Sequence, residues 1–251
     1  MDAAVMVAVT TAPTLDYVWE DVLEHLSDLR YPSALLRAHL VSHLNYRAKV
    51  EWDTWGHEQH FAVTSELFED VKPATRLKSG GYSGSHNIPI MSAIECLRQA
   101  FLRSRCDYAL MVECDQLVPP DIVERLMAWD KPIVMAATPA RHKPTHMNCS
   151  FGEFPALHLK RLEEFPAGLV ECTTVGIGCT LVRRDVLEAV GWEDPEALVK
   201  KYNGNGPDAS LCLEATEVLG VKPAVDTSLD VVHVNRVGGE NLYHHASIRD
   251  Q

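Results

Sequence analysis

Asp107-Tyr108-Ala109-Leu110-Met111-Val112-Glu113-Cys114-Asp115-Gln116-Leu117-Val118-Pro119-Pro120-Asp121 is the stretch that decides the fold. Tyr108 to Val112 is a short apolar run, which predicts a buried strand. The run stops at Glu113-Cys114-Asp115-Gln116, so two carboxylates at i and i+2 stand just past the strand end. Pro119-Pro120-Asp121 suits the first turn of a helix reaching about Trp129, because proline gives up no bonded N–H there and an acid faces the positive end of the helix dipole. Strand followed by helix is the unit of an α/β sheet, and ligands of such sheets bind in the crevice beyond the strand ends.

The same alternation extends in both directions. A strand at 4–10 leads through Pro13 to a helix near 14–29, and further strands fall near 37–43 and 59–65. Gly80, Gly81 and Gly84 make a flexible loop. An amphipathic helix follows over 88–104, with Ile90, Ala93, Ile94, Leu97, Phe101 and Leu102 at helical spacing. Ile133 to Ala137 is another buried strand. Residues 139–168 are rich in Pro, His and Phe and predict long loops with short strands. A strand over 170–175, helices over 184–191 and 208–219, and strands near 222–226 and 230–234 complete the pattern. The last fifteen or so residues read as a tail.

Composition narrows the function. The chain has 251 residues, 46% of them apolar, as in an ordinary globular protein of one large or two small domains. Its 35 acidic and 23 basic residues give a net charge of −12, which argues against coating nucleic acid or anionic membrane by bulk charge. No apolar run is long enough to span a bilayer. The N-terminal apolar run is short and preceded by Asp2, so it reads as a buried strand rather than a targeting segment. The seven cysteines form no CxxC pair, which indicates neither a disulfide framework nor a zinc ribbon and makes a cytoplasmic location the expectation.

Four segments carry chemistry. Glu113 and Asp115 can reach a cation in the crevice, and hard oxygen ligands suit Mg²⁺ or Mn²⁺ bridging to a diphosphate. Acid-x-acid alone equally describes a solvated loop. Thr173 to Arg184 includes Gly176 and Gly178, small residues that let backbone approach a ligand or simply make a tight connection. Asp208 follows a glycine-rich turn, as a helix N-cap or as a general base for an attacking hydroxyl. His233 lies in a strand, where it is structural or, beside a divalent cation, a nitrogen ligand favouring Mn²⁺.

Taken in order over residues 4–235, these segments resemble the GT-A glycosyltransferases, particularly the family-2-like enzymes. Thr10-Thr11-Ala12-Pro13 looks like the family's nucleotide-binding strand end, and Ser85-His86-Asn87 resembles its Ala-Arg-Asn segment. Glu113-Cys114-Asp115, followed by Pro119-Pro120, looks like its DxD region. Gly176 to Arg184 resembles the segment lining the acceptor side. Asp208 matches the aspartate of its Glu-Asp pair and His233 its late histidine. Three positions depart from the pattern: Glu113 replaces the first Asp of DxD, Pro207 the Glu, and His86 the arginine.

The resemblance implies one domain with a GT-A (Rossmann-like) mixed sheet flanked by helices. Residues 1–137 would bind the nucleotide sugar, 138–235 would form the acceptor side, and 236–251 would be the tail. It implies transfer of a sugar from a nucleotide diphosphate sugar, in the first instance a UDP-sugar, to an acceptor hydroxyl. Inversion is favoured over retention. Mn²⁺ or Mg²⁺ would be held by Glu113, Asp115 and His233, with Asp208 as base. Thr10 to Pro13, His86, Asn87, Glu113 to Asp115, Gly176 and Gly178 would contact the donor. Asp16 and Asp53 could contact the base or ribose, but they read more readily as surface acids.

The acceptor is open: a glycan, a small molecule, a protein or modified DNA. Lys72, Arg76, Lys78, Arg98, Arg103 and Arg105 outnumber Glu95 in residues 71–105. Arg141, Lys143, Lys160 and Arg161 outnumber Glu153 in residues 139–161. Such local positive charge suits a polyanion, including hydroxymethylated DNA of the kind some phage relatives glycosylate, or is ordinary solvated charge. A nucleotidyltransferase is the enzymatic rival, although no glycine- and base-rich loop follows the first strand. A non-catalytic nucleotide-sugar-binding module is the other.

Overall fold

A computed structural model describes residues 3–11, 17–43, 45–68, 87–140, 143–229, 231–237 and 239–245. Its centre is an eight-stranded mixed sheet. The first strand, β1 (Val5–Thr11), pairs in parallel with β2 (Leu36–His43) on one side and with β4 (Tyr108–Glu113) on the other. Beyond β2 lies β3 (Ala62–Phe68), also parallel. On the far side of β4 the order runs through β12 (Cys179–Arg183), β6 (Ile133–Ala136) and β13 (Ala224–Asp226) to β10 (Leu169–Glu171). Strand β12 is antiparallel to both its neighbours, so it enters the sheet against the run of β4 and β6.

The unbroken apolar runs of β1 and β4 follow from burial on both faces. Met6 and Ala8, with Ala109 and Met111, face a cluster built on Met91, Ile94, Leu97 and Phe101 of α3 (Asn87–Arg103). Val5, Val7 and Val9, with Leu110 and Val112, face the other side. There they meet α1 (Trp19–Ser27), α2 (Tyr46–Gly56) and α4 (Ile122–Met127) through Val22, Leu26, Trp52, Ile122 and Leu126. Helices α5 (Arg184–Ala189), α6 (Pro195–Lys201) and α7 (Pro207–Leu219) join the α3 side through Val186, Leu187, Leu198, Leu211 and Ala215. Helix α7 ends at Gly220, whose φ of 67° is the left-handed conformation that suits glycine after a helix.

Two smaller sheets lie at the strand ends. One holds β7 (Pro139–Ala140), β8 (Lys143–Phe151) and β11 (Thr174–Val175), with β9 (His158–Arg161) on β8. The other holds β5 (Gln116–Leu117), β14 (Val232–Val237) and β15 (Glu240–His245).

The predicted mixed α/β sheet flanked by helices is therefore the observed fold. Five local readings change. The sequence assigned no helix to 46–56, yet Asn45 Oδ1 accepts from Ala48 N at 3.0 Å and caps α2 there. Asp194 caps α6 in the same way, inside what reads as a loop. The expected strand at 170–175 is split between two sheets, and β8 is a nine-residue strand where loops were expected. Glu240–His245, expected to be tail, pair with β14. No helix among the described residues is long and apolar enough to cross a membrane.

Candidate functional site

The sheet itself builds the site. Glu113 is the last residue of β4, in register with Thr10 of β1, and its N–H donates to the Gly178 carbonyl at 2.9 Å. The chain then turns through Cys114 and Asp115 into β5, where Gln116 lies opposite His233 of β14. The Val234 N–H donates to the Asp115 carbonyl at 2.9 Å and fixes the register. This pairing brings together two residues 118 apart in sequence: His233 Nε2 lies 3.3 Å from Asp115 Oδ2. Both side chains are buried, Asp115 fully. The other ring nitrogen, Nδ1, lies 2.9 Å from the Pro139 carbonyl oxygen. A carbonyl only accepts, so Nδ1 carries a proton and Nε2 faces the carboxylate.

A carboxylate oxygen and an imidazole nitrogen in contact could form two legs of a divalent-cation site, and such a mixed O/N donor set would suit Mn²⁺. The Pro139 carbonyl is the outer partner that such a histidine needs to fix its tautomer. Among the described residues no group of three or more His, Cys, Asp or Glu side chains gathers as a complete metal cage. A cation on this pair would have to take its other positions from ligand oxygens. Glu113, the last residue of β4, precedes the pair in the chain. Its Oε2 lies 3.3 Å from where a Cβ on Gly178 would sit, with the Gln116 carboxamide nitrogen at 3.2 Å from the same point. A side chain at Gly178 would therefore press on both. At Gly176 a Cβ would fall 2.1 Å from Asn148 Nδ2, so the Asn148 side chain would have to move.

Asp208 lies in the first turn of α7, partly buried, and the N-cap is Gly206 rather than Asp208. Its Oδ1 accepts from Ala209 N at 2.9 Å. Burial pushes its carboxyl above the usual range, against the pull of the Ala209 and Asp208 backbone N–H groups. A Cβ on Gly206 would lie 2.7 Å from Asp208 Oδ1, so the carboxylate occupies space that glycine leaves open. Asn87, at the start of α3, donates from Nδ2 to the Gly204 carbonyl at 2.8 Å and ties down the same turn. The Trp192 indole N–H donates to the Pro207 carbonyl at 3.0 Å and holds the start of α7. The segment from Val175 to Gly178 joins the two halves of the site. Val175 N donates to Cys212 Sγ at 3.4 Å, one turn beyond Asp208, and Gly178 receives Glu113. A small pocket at the strand ends is lined by Thr10, Glu113, Ile177 and, from α3, Ile94 and Leu97.

The remaining sequence candidates divide. Thr10 borders the pocket and Thr11 is buried beside it at the end of β1. The Cys114 side chain is packed in the core, which leaves only its backbone to a ligand. Ala12, Pro13, Asp16 and His86 lie outside the described residues, as do Lys72, Arg76, Lys78 and Arg141. Asp53 is engaged within its own layer. Burial opposes its charge, but hydrogen bonds from Lys49 at 2.6 Å and Ser65 at 2.5 Å hold its carboxyl below the usual range. Arg98 is not part of a basic acceptor groove. It is 6% exposed and bound to Glu95, Glu193 and the Leu187 carbonyl. Lys160 sits 5.1 Å from the Phe151 ring centroid, and Arg161 pairs with Glu163 at 3.2 Å. Sequence reasoning missed Gln116, Asn148 and Gly206. The only signal for Gln116 was a polar residue directly after Asp115 at the start of an apolar stretch.

No protein-family model matches the chain, and no curated protein matches it. Solved structures do. A197 from STIV superposes with a TM-score of 0.52 at 10% identity, over 93% of this chain and 86% of that one. S. aureus TarS 1–349 in complex with UDP-GlcNAc gives 0.46 at 10% identity, over 88% of this chain and 55% of that one. The mannosyltransferase PcManGT from Pyrobaculum calidifontis, in complex with GDP-Man and Mn²⁺, gives 0.46 at 14% identity, over 79% and 51%. The chain thus spans about half the length of the latter two. The likeness to A197 is one of fold, and the fold is GT-A-like, as the sequence motifs led us to expect.

Proposed function

We propose that this chain is a glycosyltransferase that moves a sugar from a nucleotide diphosphate sugar, in the first instance a UDP-sugar, to an acceptor hydroxyl. The observation that carries the reading is the buried contact between Asp115 and His233 at the carboxyl end of β4, with Nδ1 of the ring committed to Pro139. That is where an α/β sheet binds its ligand, and the pair offers one hard oxygen and one nitrogen. Mn²⁺ or Mg²⁺, when bound there, would neutralise charge that builds on the leaving diphosphate. Residues 1–137 would supply the nucleotide-sugar side and residues 138–235 the acceptor side.

The chain's own residues divide the work. Asp115 and His233 would hold the cation, with Glu113 beside them on the donor. Thr10 and Thr11 would border the nucleotide, and Gly176 and Gly178 would let it lie close to the backbone. Asp208 would take the proton from the acceptor hydroxyl as it attacks. Its raised pKa makes it a stronger base than an ordinary aspartate once ionised. A base placed on the acceptor side supports inversion, by direct displacement from the face opposite the diphosphate.

The test is nucleotide release. UDP-sugars and GDP-sugars are offered with Mn²⁺ or Mg²⁺, alone and with glycan, protein and hydroxymethylated-DNA acceptors. Acceptor-dependent release of the nucleoside diphosphate from one pair is the expected result. Transfer of UMP or GMP to the acceptor, with release of the sugar 1-phosphate instead, would make the chain a nucleotidyltransferase. Tight nucleotide-sugar binding without release from any pair would make it a binding module.

A further inference from the structure

The end of β4 holds one buried polar group to which the reading above gives no role. Gln116 is 1% exposed, and its Oε1 has no hydrogen-bond partner among the described residues. An unpaired buried carbonyl is destabilising, because folding strips its water and returns nothing. Its surroundings say what could complete it. Nε2 of the Gln116 carboxamide and Oε2 of the Glu113 carboxylate converge over Gly178, at 3.2 and 3.3 Å from the point where a Cβ would stand. Across the β5–β14 pair, Gln116 is directly opposite His233, next to the proposed cation pair. The Glu113 carboxylate and the unpaired Oε1, on the other branch of the Gln116 carboxamide, are both acceptors. Phosphate brings only acceptors and does not fit them, whereas neighbouring hydroxyls on a sugar ring do.

We propose that Gln116, together with Glu113 over the Cβ-less surface of Gly178, accepts hydrogen bonds from ring hydroxyls of the bound nucleotide sugar. Gln116 thereby sets which hydroxyl pattern the site takes. This rests on the nucleotide-sugar reading of the same crevice. Two rings of such a ligand carry suitable hydroxyls, the ribose and the transferred sugar, and the choice of probes separates them.

The test replaces Gln116 with Met, which keeps volume and flexibility but removes the orphan carbonyl, and in parallel with Leu. Two quantities are read: the Tm of the ligand-free protein, and the affinities for UDP, 2′-deoxyuridine diphosphate and UDP-glucose with Mn²⁺. The expected result is a Tm raised by about 2–6 °C, since an unsatisfied buried group is gone. Affinity should fall about tenfold or more for the ligand whose hydroxyl is read. Loss confined to UDP-glucose assigns the hydroxyl to the transferred sugar. Equal loss for UDP and UDP-glucose, with 2′-deoxyuridine diphosphate unaffected, assigns it to the ribose. A lowered Tm with unchanged affinities, or failure of both variants to fold, would give Gln116 a structural role and overturn the proposal alone. A wild-type protein that binds none of the three would overturn the nucleotide-sugar reading and this proposal together.

Discussion

Nε2 of His233 stands 3.3 Å from Oδ2 of Asp115, while Nδ1 of the same ring is committed to the carbonyl of Pro139. A divalent cation, if bound, would be held by these two side chains, with the Pro139 carbonyl fixing the orientation of the ring. The two-residue strand β5 is what makes this possible, because it carries the carboxylate out of the main sheet and pairs it against β14.

Replacing Asp208 with Asn keeps the shape of the site and removes the base. Turnover should fall about 10²–10⁴-fold, the usual contribution of a general base, while nucleotide-sugar affinity stays within a factor of about two. Steady-state kinetics beside calorimetric titration make the comparison. Undiminished turnover would remove Asp208 from the mechanism.

The same variant carries a pH signature in stability. Burial raises the carboxyl pKa of Asp208 in the folded chain above its unfolded value. Between those two values the folded state binds the extra proton, so stability contributed by this group is lost as pH rises through the window. Asp208→Asn should therefore melt higher than the wild type at about pH 7.5. The gap should narrow as pH is lowered toward the ordinary aspartate range of about 4. Melting curves at several pH values test this, and a gap that widens on acidification would contradict the burial of the carboxylate.

Gly206→Ala places a methyl group 2.7 Å from the position of Asp208 Oδ1, and the carboxylate has to move outward. In water it regains an ordinary pKa, so the acidic limb of the kcat profile should shift to lower pH as kcat drops. The backbone itself allows alanine, since φ at Gly206 is −74°. Stability should accordingly change by less than about 1 kcal/mol. A large loss of Tm with an unmoved profile would show that Gly206 serves folding instead.

Arg98 tests the fold rather than the chemistry. Its guanidinium ties α3 to the turn before α6 through Glu95, Glu193 and the Leu187 carbonyl, and it fills the space beside Gly191. Arg98→Ala should cost about 1–3 kcal/mol in chemical denaturation, because the Leu187 carbonyl loses its buried donor and the half-buried Glu95 its charge partner. A near-neutral result would return Arg98 to the list of available basic residues.

The central strands were legible because burial on both faces leaves an unbroken apolar run, as in Val5 to Val9 and Tyr108 to Val112. Glu113 and Asp115 were legible because a polar break after such a run marks a strand end. Helix α2 was not, because its buried residues Ala48, Trp52 and Trp55 are sparse among polar ones and only Asn45 announces its start. Glu240–His245 were missed because their pairing with β14 leaves Leu242 and Tyr243 exposed, without the alternation that marks a half-buried strand. Arg98 read as surface charge, since its partner Glu193 is distant in sequence. Gln116 read as the polar end of a strand. Its burial depends on β14, more than a hundred residues away, which no local pattern reveals.

Binding of Mn²⁺ to the wild-type protein in the presence of UDP, followed by the loss of the free-ion electron paramagnetic resonance signal, tests the cation pair most directly. The wild type should take up one Mn²⁺ per chain. Asp115→Ala should take up none, and His233→Ala should bind at least about tenfold more weakly. Equal uptake by all three would contradict the assignment of Asp115 and His233 as the residues that hold the cation.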